Sequence, residues 1–104
     1  MKNKSSKLAK MEKNRFSIFT NNLTQCYYCK APKDDLHEIF GGCRRRVSML
    51  YGLVLPLCRN CHTRIENDEK TKLEMKKKAE VYWLDTYRPF TVEDFINIFG
   101  KNYI

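Results

Sequence analysis

Two CxxC pairs, Cys26-Tyr27-Tyr28-Cys29 and Cys58-Arg59-Asn60-Cys61, stand with 28 residues between them, and His62 follows the last cysteine directly. Two such knuckles offer four thiolates to one tetrahedral ion, so the spacing predicts a structural zinc, Zn2+, held by Cys26, Cys29, Cys58 and Cys61. Disulfides are the rival use of these cysteines and require an oxidising compartment. The first 15 residues carry Lys2, Lys4, Lys7, Lys10, Lys13 and Arg15 with no apolar core segment, so they do not read as a secretory signal and a cytoplasmic placement is expected. The fifth cysteine, Cys43, has no partner in this pattern and is expected to be a small, half-buried side chain.

A second set of groups follows from the first. Zinc at the four cysteines would bring the stretch after Cys29 against the residues after Cys58, which makes His37 and His62 neighbours in space. On a helix His62 and Glu66 lie one turn apart on the same face, where an imidazole Nε2 and a carboxylate oxygen could bind a second, divalent ion. His37 and Glu38 supply the facing groups. No Gly-rich phosphate loop and no Ser/His/Asp pattern occurs elsewhere, so any chemistry is expected between Cys26 and Asn67.

The chain is 104 residues long, one domain at most, and buries too little apolar surface to be comfortably stable by packing alone. A metal answers that shortage, because zinc binding in small domains contributes on the order of 10 kcal/mol to folding. The formal net charge is +8; the first 15 residues supply +5 of it (six cations against Glu12), and the other 89 supply +3. Positive charge is thus concentrated in the tail, including Lys2, Lys4 and Lys7, and in Arg44-Arg45-Arg46. Such clusters release counterions from phosphates, so a polyanion such as nucleic acid is the natural partner. No run approaches the roughly 18 apolar residues needed to span a bilayer, and a soluble chain is expected.

These groups must be positioned by a few short elements. Residues 1–15 are expected to be a disordered basic tail, too poor in large apolar groups to offset the entropy of ordering. Order should begin near Phe16, with Phe16, Ile18 and Leu23 leading into the first knuckle. Residues 34–40 alternate polar and apolar and read as a short strand ended by Gly41-Gly42. Residues 53–57 read as a second strand with Pro56 at its end or on an edge. Residues 44–51 fit a turn or two of helix, and residues 60–67 a helix carrying His62 and Glu66. A longer lysine-rich helix over 70–87 places Met75, Ala79, Tyr82, Trp83 and Thr86 along one side, and Pro89 stops it. Thr91 and Asp94 form a capping box, Phe95, Ile98 and Phe99 an apolar face, and Gly100 a C-cap. The aromatic residues are expected in the core.

The order of a CxxC, a strand with a His-containing pair, a loop, a second strand and Leu57-Cys58-Arg59-Asn60-Cys61-His62 resembles the HNH nucleases with a zinc-stapled ββα-metal fold. The likeness is to small phage and prophage HNH proteins related to recombination-enhancing nucleases. Its carriers are Leu36-His37-Glu38-Ile39-Phe40-Gly41-Gly42, the stretch from Tyr51-Gly52-Leu53 to Leu57-Cys58, and the terminal run from Asp94-Phe95 to Asn102-Tyr103. The resemblance implies an α+β fold, a ββα-metal zinc-stapled core with C-terminal helices over residues 16–104, in a phage- or prophage-encoded chain inside its host cell. It also implies metal-assisted hydrolysis of DNA phosphodiesters with Mg2+ or another divalent cation. His62 matches the metal-binding histidine that opens the family's helix, and Glu66 stands where a second histidine is common. Matched by position, His37 is the metal ligand and Glu38 the general base; the inverse pairing, His37 as base and Glu38 as ligand, is chemically attractive because imidazole is the stronger base at neutral pH. Arg44, Arg45 and Arg46 follow the glycine pair, where guanidinium groups can fork onto phosphate oxygens.

The family's middle asparagine has no clear counterpart in Tyr51-Gly52-Leu53, and Asn60 is the nearest amide. That departure motivates the alternative, a zinc-stapled DNA- or protein-binding module without catalysis. A host or phage protein partner is a third reading.

Overall fold

A computed structural model describes residues 6–104. Its elements are α1 (Ser6–Lys13), β1 (Asp35–Glu38), a 3-10 turn (Gly42–Arg44), α2 (Arg45–Tyr51), β2 (Val54–Leu57), α3 (Arg59–Glu66), α4 (Glu69–Thr86) and α5 (Val92–Phe99). The two expected strands pair antiparallel, with Asp35 opposite Leu57, Leu36 opposite Pro56, His37 opposite Leu55 and Glu38 opposite Val54. Hydrogen bonds from Asp34 N to Leu57 O and from Ile39 N to Leu53 O carry the pairing one residue beyond each end. In a two-stranded ribbon both strands are edges, which is where a proline without an amide donor is tolerated. The Pro56 carbonyl instead accepts from Tyr27 N at 2.7 Å, tying the first knuckle to β2.

All four residues of β2 are buried, whereas β1 is half-buried throughout. The sheet therefore leaves the strand carrying His37 and Glu38 partly open to solvent. Behind β2 the core gathers Phe40, Leu53, Leu55, Leu57, Ile65, Trp83, Phe95 and Phe99. Phe95 and Phe99 stack on each other and pack edge-on against Trp83, so these and Phe40 lie in the core, as expected, whereas Phe16, Tyr28, Tyr82 and Phe90 are exposed. The capping box of Thr91 with Asp94 and the left-handed Gly100 close α5 at its two ends.

Between the strands, Ser48 of α2 is fully buried. Its hydroxyl donates to Phe40 O at 2.7 Å and accepts from Phe40 N at 3.1 Å. The helix thus completes the backbone bonding that β1 abandons at its end. Gly52 caps α2 with φ 74°, and a Cβ there would stand 2.5 Å from the Phe16 ring, so both the turn and the close approach require glycine.

Three expectations differ from the structure. Residues 6–13 of the supposedly unstructured tail form α1, because Glu12 pairs with Arg45 of α2 and with Arg15, and Met11 packs beside Met49 and Leu50. Lys2 and Lys4 lie outside the described residues, and Lys7 falls within α1. On α4, Met75, Ala79 and Trp83 are buried, but Tyr82 and Thr86 are exposed and Glu80 is buried instead. The reason is the C-terminal segment, which returns over α4 so that Tyr103 N donates to Glu80 Oε1 at 2.7 Å. Cys43 is exposed, because it is the middle residue of a 3-10 turn none of whose residues is buried.

No helix among the described residues is long and apolar enough to cross a membrane.

Candidate metal centre and adjoining cleft

The first knuckle is a tight turn in which Lys30 N donates to Cys26 O and Cys26 N donates to Ala31 O at 2.6 Å. Lys30 closes it in the left-handed region, φ 69°. The second knuckle is the start of α3, where Cys58 is the N-cap and its sulfur accepts from Cys61 N at 3.4 Å. Pairing of β1 with β2 sets the two turns side by side. All five cysteines are free thiols, and the sulfurs of Cys26, Cys29, Cys58 and Cys61 lie within 4.8 Å of one another. Four sulfurs each about 2.3 Å from a common zinc would stand about 3.8 Å apart. Cys29 and Cys58 Sγ are already at 3.5 Å. The residues fit the ion: the four cysteines can hold a metal such as zinc.

Electrostatics support that use. Burial opposes ionisation of Cys26, but backbone hydrogen bonds from Cys29, Cys58 and Tyr28 outweigh it and lower the thiol to about 6. Burial, together with the neighbouring sulfurs of Cys58, Cys26 and Cys29, pushes Cys61 up to about 12. One thiolate is thus stabilised in the absence of a cation, while a second is opposed by the charge already present. A divalent cation at the centre removes that conflict.

Beside the cluster, β1 and α3 bring the two histidines together. The rings of His37 and His62 are 4.9 Å apart, edge to face. Asp35, two residues before His37 and therefore on the same face of the strand, places Oδ2 3.1 Å from His62 Nδ1. With Nδ1 engaged, Nε2 of His62 is the nitrogen left for another partner. His37 lines a cleft of about 230 Å³ with Glu38, Glu66, Lys72, Met75 and Lys76. Burial, then the charge of His62, lowers the pKa of His37, so its imidazole is neutral near pH 7.

The expected residues are only partly assembled. Among the described residues the four cysteines are the one group of three or more His, Cys, Asp or Glu whose ligand atoms gather within 4.8 Å. His37, His62 and Glu66 share the neighbourhood without forming such a group. Glu38 is held by Arg15 Nη2 at 2.8 Å and Arg45 Nε at 3.0 Å, so both its oxygens are occupied. Arg44, Arg45 and Arg46 diverge: Arg44 lies over Gly100, Arg45 pairs with Glu12 and Glu38, and Arg46 is exposed. Asn60 lies beside the cysteines at the start of α3 and does not line the histidine cleft.

Sequence reasoning missed Asp35, Arg15, Lys72 and Lys76. Strand alternation could have found Asp35, two residues from His37. The i, i+4 spacing of Lys72 and Lys76 was visible, but which side of a lysine-rich helix faces a cleft depends on packing.

Fold and site together define a small α+β domain with a two-stranded sheet, stapled by a cysteine cluster able to bind a metal ion. Comparison with protein-family models, with curated proteins and with solved structures finds no match to the chain.

Proposed function

We propose that the chain is an HNH-type nuclease with the ββα-metal arrangement, a hydrolase that nicks DNA by cleaving phosphodiester bonds. The observation that carries this reading is the juxtaposition of His37 on β1 with His62 on α3, ring to ring at 4.9 Å, with Asp35 on His62 Nδ1. His62 Nε2 and a Glu66 oxygen are the groups that would hold a divalent cation, Mg2+ or another. Bound there, the cation would supply positive charge to the scissile phosphate and the leaving oxygen. The neutral imidazole of His37 is free to take a proton from water as its oxygen attacks phosphorus. Glu38, its oxygens occupied by Arg15 and Arg45, fits a positioning role for those two guanidiniums better than the role of base. The cysteine cluster, loaded with zinc, holds the ribbon and α3 in register. A phage- or prophage-encoded chain acting in the host cytoplasm goes with this reading.

The test is a nicking assay on supercoiled plasmid across magnesium, manganese, nickel and zinc, with elemental analysis counting zinc per chain. Chelator should stop cutting, and His62→Ala and His37→Ala should abolish it without unfolding the protein. If cutting persists in both His62→Ala and Glu38→Ala, the site is elsewhere.

A second reading is favoured by the incomplete gathering of His37, His62 and Glu66 and by the missing asparagine. In it the domain binds DNA, or a host or phage protein, without chemistry. Salt-dependent DNA affinity with no cleavage under any divalent ion would establish it.

A further inference from the structure

The cationic side of the cleft is not where the arginine run lies. Five lysines stand on α4, at 70, 72, 76, 77 and 78, and only Lys72 and Lys76 are half-buried; the other three are exposed. Those two, one turn apart, face the cleft that His37 and Glu66 also line. Neither ammonium is neutralised by a buried carboxylate. Among the described residues Lys72 pairs with Glu69 of its own helix, at 3.4 Å, and that carboxylate is 89% exposed. Lys76 makes no ion pair among the described residues; it sits 5.6 Å from the centre of the Tyr103 ring. Meanwhile Arg15 and Arg45 are both committed to Glu38.

We propose that Lys72 and Lys76 form a phosphate clamp in the cleft, gripping the non-bridging oxygens of the DNA phosphate next to His37. The inference deepens the nuclease reading and rests on it for the identity of the ligand. Two lysines one helical turn apart, lining the same cleft as His37, suit an anion whose charge is shared by two oxygens. The Tyr103 ring steadies one of them through a cation–π contact. Lys70 and Lys77 are solvated charges of the same helix and supply the matched comparison.

The experiment uses the full chain loaded with zinc and a fluorescent duplex, with affinity read by anisotropy in calcium over a salt series. Nicking is measured in parallel in magnesium or manganese. The variants are K72Q/K76Q, K72R/K76R and K70Q/K77Q, each checked by circular dichroism. Expected are a fall of about 0.9 in the salt slope for K72Q/K76Q, the one clamped phosphate, and a smaller change for K70Q/K77Q. Restoration by arginine and a loss in kcat on the order of 100-fold for K72Q/K76Q are also expected. Equal losses in K72Q/K76Q and K70Q/K77Q, or no DNA binding by the parent chain, overturn the clamp. Should the parent chain bind but never nick, while the slopes separate as expected, the nuclease reading fails and the phosphate clamp stands. If nicking is normal in K72Q/K76Q and the slope unmoved, the clamp fails and the nuclease reading stands.

Discussion

Asp35 Oδ2 lies 3.1 Å from His62 Nδ1, joining the first residue of β1 to α3 across the edge of the cysteine cluster. This contact fixes which imidazole nitrogen of His62 remains for a ligand, and it exists only because the strand and the helix are brought together beside the metal centre. Arg59 Nε, on the same helix as His62, lies 3.9 Å from the same oxygen. Asp35→Asn should therefore keep the fold but loosen the ring. Divalent cation affinity, measured by titration calorimetry on the zinc-loaded chain, is expected to fall about 10- to 100-fold.

Removal of the structural metal tests the staple. Cys58→Ala takes away both a sulfur and the N-cap of α3, and a strong chelator should act alike. Loss of zinc binding is expected to cost on the order of 10 kcal/mol in a domain of this size and so to unfold it. Circular dichroism with zinc counting checks this; a native spectrum at zero zinc per chain would refute the staple.

The thiols make metal retention dependent on pH, with a sign that can be stated. Cys26 has its folded value lowered from 9.0 to about 6. A depressed acid contributes stability that is complete above the unfolded value and is lost as pH falls through the folded one. The contribution of Cys26 to the fold should therefore fade progressively from about pH 9 to about pH 6. His37, depressed by burial, acts in the same direction below 6.5, where the unfolded chain takes up its proton first. Zinc binding must also displace the proton of Cys61, held up to about 12. Calorimetry in two buffers of different ionisation enthalpy at pH 7 should register net proton release, and affinity should fall as the pH is lowered.

Ser48 gives a prediction independent of any metal. Its buried hydroxyl serves both Phe40 N and Phe40 O, so Ser48→Ala leaves a donor and an acceptor unpaired in the core. A destabilisation of about 1 to 3 kcal/mol is expected, read from urea unfolding of the zinc-loaded protein.

Much of this molecule was legible locally. The CxxC spacing announced the cysteine cluster, alternation over 34–40 marked β1, and the Thr91, Asp94 and Gly100 signals bounded α5, because knuckles, pleats and caps are settled by residues a few positions apart. His62 and Glu66 were readable as one face of a helix for the same reason.

What the chain alone could not decide is which distant charges meet. Glu12 and Arg45 are 33 residues apart, and their pairing orders α1, which composition marked as an unfolded tail. Glu80 is buried by Tyr103, 23 residues on, so a residue whose type suggests solvent ends up in the core. Arg44, Arg45 and Arg46 are consecutive in sequence, yet a turn and the start of a helix send them in three directions. Lys72 and Lys76, two of five lysines on one helix, come to line the cleft instead. Hydrophobic periodicity and turn chemistry depend on near neighbours and so are written along the chain. The partners of a charge depend on how elements pack, and that only the tertiary structure decides.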